Sequence, residues 1–402
     1  MAQTCICTLE PMEHGGVIAK VREVVSLHSH YGHDSHLLYT ATNQVPTTGR
    51  WDVLRYLLAA RPRWQVNCGF RGFAVPDWPM PLWAAYALPL VAARGAIEGA
   101  QMHVGVSGSN HCALPLALAR KKFVVWIGTL YEEELIGRAA AGDRWAVRML
   151  NSPARAILAW EERLIFERAS LILTNGAHTA NAVKRDHPAT SDRLRVMLYP
   201  VDTAVFRPDP SAQLSASPPY LLFTARINDP RKNVSLLFRA FAKVRRAFPN
   251  LRLILTGDPP GPQARRALDE SGVGNGVEFL GYQPRESLIK LYQDAALFVL
   301  PSLQEGLGIS MLEALACGLP VVSTRCGGPE TVIADGDTGR LVESNSVEAF
   351  ADAIAQLLSN PAELEAMRVR CARFAVETFS KERIGRNLLS AFRAAYPEHF
   401  PG

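Results

Sequence analysis

Long apolar runs are missing from this chain of 402 residues. A membrane-spanning helix needs roughly 20 predominantly apolar residues. The nearest approach, WPMPLWAAYALPLVAARGAIEG (78–99), is broken by Pro79, Pro81, Pro89 and Arg94. It reads as a core helix leading into a strand, HVGVS (103–107), with interfacial contact by Trp78, Trp83 and Tyr86 as the other reading. No basic segment runs into an apolar stretch at the N-terminus, so no signal peptide is expected. The seven cysteines are odd in number and scattered, which excludes a disulfide framework, and Cys5-Ile6-Cys7 has no second pair to complete a zinc site. A reducing cytoplasm is the expected location. No G-x-G-x-x-G follows any readable strand, which removes the nicotinamide dehydrogenases.

What is there describes a globular protein, 48% hydrophobic and 20% charged. Its length exceeds one ordinary core and predicts two domains. Lys and Arg exceed Asp and Glu by five over residues 1–200 and balance them over 201–402. The net positive charge therefore belongs to the first half, where it bears on an acceptor or on an anionic membrane surface. The run GRWDVLRYLLAARPRWQVNCGFRGF (49–73) sets Arg50, Arg55, Arg61, Arg63 and Arg71 against Asp52 alone. It reads as a solvated face, with anionic lipid or an anionic acceptor as its functional alternative.

Short apolar strands alternate with helical segments in both halves, which predicts parallel sheets covered on two faces. In the first half TCICTL (4–9), SHLLYTA (35–41), HVGVS, FVVWI (123–127), SLILT (170–174) and RVMLY (195–199) are the strands. In the second they are YLLFTA, RLILTG, VEFLG, LFVLP and PVVST, and the helix after Asn233 buries Leu237, Phe241, Val244 and Phe248 at helical spacing. The expected division is a first domain over 1–201, a Pro/Ser-rich linker over 202–219 and a second domain over 220–380. Ligands of such sheets bind beyond the carboxyl ends of the strands.

The stretch from Pro301 to Val342 carries the most chemistry. Glu305 and Glu313 lie eight residues apart around the turn Gly306-Leu307-Gly308, followed by the helical segment ISMLEALA. Glu313 stands between Leu312 and Ala314, where an unpartnered carboxylate is costly, so it is read as holding a ligand, with polyhydroxylated molecules the natural candidates. N–H groups at the helix start face the same cleft. Upstream, TARINDPRKNVSLLFRAF (224–241) places Arg226 and Lys232 at a strand end, where fixed cations offset charge developing on a leaving group. Two carboxylates alone also suit a hydrolase pair, but that reading leaves the cations unexplained.

These residues, with LILTGD (253–258), VEFLGYQPRESLIKLYQDAALFVLPS (277–302) and GGPETVIADGDTGRLV (327–342) in order, resemble the retaining glycosyltransferases of the GT-B fold, in particular family 4. The resemblance covers the C-terminal half nearly end to end and the N-terminal half loosely, through HGGVIAKVREVVSLHSHYGHDSHLLY (14–39). It implies two Rossmann-like domains facing a cleft, with the last helix (381–402) joining the first domain. It implies a hexosyltransferase that moves a hexose from a UDP- or GDP-sugar to a hydroxyl of a glycan or lipid-linked acceptor in cell-envelope assembly. By the same resemblance Arg226 and Lys232 clamp the diphosphate, and Glu305 with the N–H groups of Gly306, Leu307 and Gly308 holds the sugar. Glu313 would take the ribose, Gly281 and Tyr282 the base, and Gly16, beside Gly15, the diphosphate from the first domain. Arg231 is read as solvent-facing, with its role exchangeable with that of Lys232. The mechanism implied is front-face attack, which needs no protein nucleophile, no cofactor and no metal, and no Asp-x-Asp metal site is read.

The first domain departs from the family. Gly128 stands near where many relatives carry a histidine, so that role has no bearer. Asn110, His111, Thr129, Tyr131 and Glu132 are the acceptor candidates. His28, His30, His33 and His36 invite a metal, but their place at a helix end and turn favours a structural role. A nucleotide-sugar epimerase and a non-catalytic binding subunit remain as alternatives. No nucleic-acid partner is expected, and peripheral contact with the inner membrane face is left open.

Overall fold

The computed structural model describes residues 2–12, 15–41, 61–77, 82–87, 89–209 and 218–401. His14, Arg50, Asp52, Arg55, Trp78 and the middle of the expected linker lie outside them. Contacts divide the chain into two units. Unit 1 holds residues 1–133, 148–200 and 385–402, and unit 2 holds 134–147 and 201–384. Assignment of 134–147 to the second unit is a division the sequence did not suggest.

Unit 1 is built on an eight-stranded sheet. Its strands are β1 (Gln3–Thr8), β2 (Asp34–Ala41), β3 (Arg63–Asn67), β4 (Phe70–Pro76), β5 (Met102–Val106), β6 (Val124–Ile127), β7 (Leu171–Thr174) and β8 (Leu194–Val196). They lie in the order β3-β4-β2-β1-β5-β6-β7-β8. All neighbours are parallel except β3 and β4. Strands β5, β6 and β7 are buried along their whole length, as apolar runs covered on both faces must be.

Part of the basic run 49–73 forms the β3–β4 hairpin, a pairing the sequence did not suggest, and Arg61, Arg63 and Arg71 are exposed there. Asn67 pairs with Phe70 across Cys68 and Gly69, whose φ values of 50° and 81° are those of a tight hairpin turn. An edge strand carries its outward side chains into solvent, so Arg63, Trp64 and Val66 masked the alternation expected of a strand. The segment 78–99 is likewise not one helix. Its described residues form Leu82–Ala87, Pro89–Ala92 and Arg94–Glu98, the last two separated by a turn at Ala93.

The four histidines are engaged by the protein: the His28 and His33 rings meet edge to face at 6.4 Å, and the His30 ring meets Tyr31. His28 is buried against Phe392 and Phe400, and its Nδ1 lies 2.6 Å from Thr4 Oγ1. His33 Nε2 meets the carbonyl of His399 and His36 Nε2 that of Ala96.

Unit 2 carries a fully parallel six-stranded sheet. Its strands are β9 (Tyr220–Thr224), β10 (Arg252–Thr256), β11 (Val277–Gly281), β12 (Leu297–Leu300), β13 (Val321–Thr324) and β14 (Gly339–Val342), in the order β11-β10-β9-β12-β13-β14. The helix Val234–Ala247 covers it with Leu237, Phe241 and Val244 buried, and Phe248 follows at its half-buried end. From β9 the chain winds outward through β10 to β11, and from β12 it winds the other way to β14. The β9–β12 neighbourhood is therefore a topological switch point, where loops diverge and leave a crevice.

Candidate functional site

The loops that follow β9 and β12 are stitched together at this switch point. After β9 comes Arg226, then the short turn Pro230–Lys232, then Asn233 at φ 50° opening the helix Val234–Ala247. After β12 comes the loop holding Ser302, Gln304 and Glu305, then Gly308 at φ 84° opening the helix Ile309–Ala316. The N–H of Leu303 donates to the carbonyl of Arg231 at 2.7 Å. Lys232 Nζ donates to Glu305 Oε1 at 2.5 Å, and Ser302 Oγ donates to the same oxygen at 2.8 Å. Glu305 is buried, and one cation and one hydroxyl satisfy it there.

A third loop, after β13, backs Glu305. Its N–H donates to the carbonyl of Cys326, and the N–H of Gly328 donates to the carbonyl of Glu305, both at 2.9 Å. A Cβ on Gly328 would lie 2.4 Å from Leu307 Cα and 2.6 Å from Leu307 N, so only glycine lets the two backbones meet. The Glu330 carboxylate accepts the N–H groups of Cys326 and Gly327 and fixes that loop. After β10, Asp258 accepts the N–H groups of Ile227 and Asn228 and fixes the stretch beside Arg226. Asp258, Gly328 and Glu330 had no assigned role in the sequence. The signal was present in LILTGD and GGPETV, but backbone-directed acids look like any others until the loops are placed.

The cations differ sharply in availability. The Arg226 side chain is 67% exposed and makes one ion pair, to Asp229 Oδ2 at 2.9 Å. Arg231 is 13% exposed and gives its fork to both oxygens of Asp229. Burial alone would raise the Asp229 carboxyl, but the two arginines bring it down to about 2. Arg231 is thus not solvent-facing and is not free to exchange roles with Lys232. Its planar fork is matched to a carboxylate that it already holds.

Glu313 lies on the helix Ile309–Ala316 among buried Leu312, Ala314 and Leu315. Burial raises its carboxyl to about 7, opposed by the hydrogen bond from Tyr292 Oη at 2.9 Å and by the charge of Arg285. Tyr282 is 72% exposed beyond Gly281, whose φ is 68°, so it stands out as a ring without a packing role. A cavity of about 640 Å³ opens beside these loops, lined by Asn228, Asp229, Asn233, Ser235, Gly261 and Leu303 among others. None of Arg226, Lys232, Glu305 or Glu313 lines it.

An Asp-x-Asp triplet does exist, contrary to the sequence reading: Asp335-Gly336-Asp337. Its carboxylates are engaged by arginines, Asp337 by Arg370 at 2.7 Å and Asp335 by Arg325 at 3.5 Å. No group of three or more His, Cys, Asp or Glu side chains gathers to hold a metal among the described residues.

In unit 1, Gly16 begins the helix Gly16–His30 after Gly15, whose φ of 119° only glycine adopts freely. Asn110 and His111 are buried and turned inward, which corrects their reading as acceptor contacts. Asn110 Nδ2 donates to the carbonyl of Glu162, and His111 Nε2 meets that of Leu158. The His111 ring packs between Tyr86 and Tyr131. Burial lowers its basicity. The N–H of Tyr131 donates to Glu162 Oε2, Thr129 Oγ1 donates to the carbonyl of Leu130, and Glu132 is paired with Arg155. Beside Gly128 the space a side chain would fill is taken by Asn175, whose Nδ2 would lie 3.2 Å from an added Cβ.

Two α/β units, one built on a mixed sheet and one on a fully parallel sheet, are those of the GT-B class. The fold is matched by sucrose-phosphate synthase from Thermosynechococcus elongatus, at a TM-score of 0.77 and 18% identity over 99% of this chain and 100% of that one. The model of the glycosyl transferases group 1 matches residues 208–375. The D-inositol 3-phosphate glycosyltransferases of Mycolicibacterium paratuberculosis and Mycobacterium avium are each 32% identical over 288 residues. That is 64% of this chain, which spans 64% and 67% of their lengths. This chain belongs to the glycosyl transferases group 1 family.

Proposed function

We propose that this protein transfers a hexose from a UDP- or GDP-sugar to a hydroxyl acceptor with retention of configuration, as a family 4 type enzyme of cell-envelope glycan assembly. The observation that carries it is the Lys232–Glu305 pair at the β9–β12 switch point, with Arg226 exposed beside it. The anomeric C–O bond to the diphosphate breaks as a new C–O bond to the acceptor forms, and the acceptor's proton passes to the leaving phosphate. Arg226 and Lys232 offset the charge that grows on that phosphate. Glu305 holds hydroxyls of the moving sugar, Glu313 the ribose, and Tyr282 with Gly281 the base. The backbone of Gly306, Leu307 and Gly308 completes the donor contacts of unit 2. The acceptor is a glycan or a lipid-linked glycan, met by Thr129, Tyr131 and Glu132 of unit 1. An anionic membrane contact agrees with the charge of the first half. No helix among the described residues is long and apolar enough to cross a membrane.

A thermal-shift panel of UDP, GDP, ADP and their sugar conjugates tests the donor. Ligand at a hundred times its dissociation constant adds about 2.7 kcal/mol of stability. One nucleotide class should stabilise the wild type and lose its effect in Glu313→Ala and Lys232→Ala. A panel with no shift would reject the donor site. Incubation with the nucleotide sugar alone separates transfer from epimerisation, since only an epimerase converts it without a second substrate.

A further inference from the structure

Arg231 lies beside the donor residues and touches none of the atoms assigned to the substrate, yet it is the most heavily engaged side chain in the loop. Its Nε and Nη2 bind Asp229 at 3.0 and 2.7 Å, and its Nη1 binds Glu134 Oε1 and Gln304 Oε1, each at 3.2 Å. Its carbonyl accepts the N–H of Leu303. Residues 231 and 232 are therefore zipped to residues 303, 304 and 305 in sequence order: backbone to backbone, then Arg231 to Gln304, then Lys232 to Glu305. Gln304 is gripped from a second side. A Cβ on Gly137 would lie 2.7 Å from Gln304 Cβ, so the glutamine stem occupies the space that a side chain at 137 would need.

We propose that Arg231 is a positioning residue, whose fork, braced by Glu134, holds Gln304 and so sets where Glu305 meets the transferred sugar. The inference rests on the donor-site reading above. A lysine cannot replace the fork, because one ammonium cannot span Asp229, Glu134 and Gln304 in fixed geometry. Gly137 belongs to the same device. Alanine is the better helix former at that position, so the glycine is explained by the glutamine packed against it.

The test uses the full chain and calorimetric titration with the pairs UDP and UDP-glucose, GDP and GDP-mannose, and ADP and ADP-glucose. The pair bound by the wild type is carried to the variants. The quantity read is the affinity gained from the sugar, the ratio of the two dissociation constants. Arg231→Ala should lose about tenfold of that gain, the loss typical of one charge-assisted hydrogen bond, and leave the bare nucleotide within about threefold. Arg226→Ala, by contrast, should weaken both ligands alike. Arg231→Lys should recover little. Gln304→Ala and Gly137→Ala should shift the ratio in the same direction, and they decide the matter if Arg231→Ala does not fold. An unchanged ratio in these variants overturns the positioning role and leaves the donor site standing. Parallel weakening of both ligands in Arg231→Ala overturns it too, by making Arg231 a phosphate ligand. A wild type with no gain from the sugar removes the role of Glu305 on which the inference stands. A wild type that binds no nucleotide at all removes the donor reading and the inference together.

Discussion

Glu313→Gln should make the protein more stable at neutral pH while impairing nucleotide binding. The carboxyl has its folded value raised to about 7 by burial, against 4.5 for the free side chain. The folded state therefore keeps a proton that the unfolded chain has already released between those two values. Stability falls as pH rises from 4.5 to 7, and the loss stays complete above 7. Each pH unit separating the two values corresponds to about 1.4 kcal/mol, so the full cost is about 3 kcal/mol. Glutamine keeps the shape and does not titrate. Relative to wild type it should gain about 3 kcal/mol between pH 4.5 and pH 8. For a unit of about 200 residues that is about 6–12 °C in Tm. Calorimetric melting at pH 4.5, 6, 7 and 8 measures it directly. A difference between variant and wild type that stays flat across this range would refute the claim that a desolvated, costly carboxylate sits at this half-buried position. A residue that lowers stability at working pH is one retained for a ligand, so nucleotide affinity in the variant should fall as stability rises.

Lys232→Ala should destabilise the fold by about 3 kcal/mol, because it takes the hydrogen-bonded cation from buried Glu305 and leaves it the Ser302 hydroxyl. The double variant Lys232→Met/Glu305→Gln should recover most of that stability and none of the sugar binding, and urea melts of the single and double variants check it. Arg226→Ala should leave Tm nearly unchanged, since its ion pair is solvent-screened, while diphosphate affinity falls at least tenfold in titrations. Gly328→Ala should cost at least about 2 kcal/mol and disturb donor binding, because its Cβ meets the Leu307 backbone and not a movable side chain. A Gly328→Ala protein that melts and binds as wild type would show that the loop after β13 is looser than its contacts imply.

How much of this was legible in the sequence depends on the range of the interaction. Apolar runs such as LILT and LFVL are written in consecutive residues, so the strands and the two-unit α/β class could be read directly. The pairing of Lys232 with Glu305 spans 73 positions and depends on which strands are neighbours. Sequence order alone does not fix that, although it nominated both residues separately. Arg231 was misread because adjacent cations look alike in a string, and only the fold places Asp229, Glu134 and Gln304 around one of them. Asn110 and His111 were misread for the reverse reason. Polar residues just after a strand suggest a ligand, but here both are buried, and the carbonyls of Glu162 and Leu158, some fifty residues on, engage one nitrogen of each.

The two ion pairs at the switch point are unequal in a way that bears on how a diphosphate would enter. Asp229 is held by the full fork of Arg231 as well as by Arg226. If Arg226 swings to a phosphate, Asp229 keeps a bidentate partner, and the departing arginine is already largely in water. Lys232 has no such freedom. Moving it away from Glu305 would take from a buried carboxylate its hydrogen-bonded cation, at a cost of several kcal/mol. A phosphate must therefore come to Lys232, and share it with Glu305, while Arg226 can go to the phosphate. On the donor reading proposed above, the immobile ammonium would be preorganised at the reacting end of the donor, where charge develops, and the mobile guanidinium would be suited to capture. Salt should accordingly weaken the contribution of Arg226 to nucleotide affinity far more than that of Lys232, because screening acts on exposed charges and spares buried ones. Titrations of both alanine variants at about 0.05 and 0.5 M salt decide it: equal salt slopes for the two would show that both cations meet the phosphate from solvent.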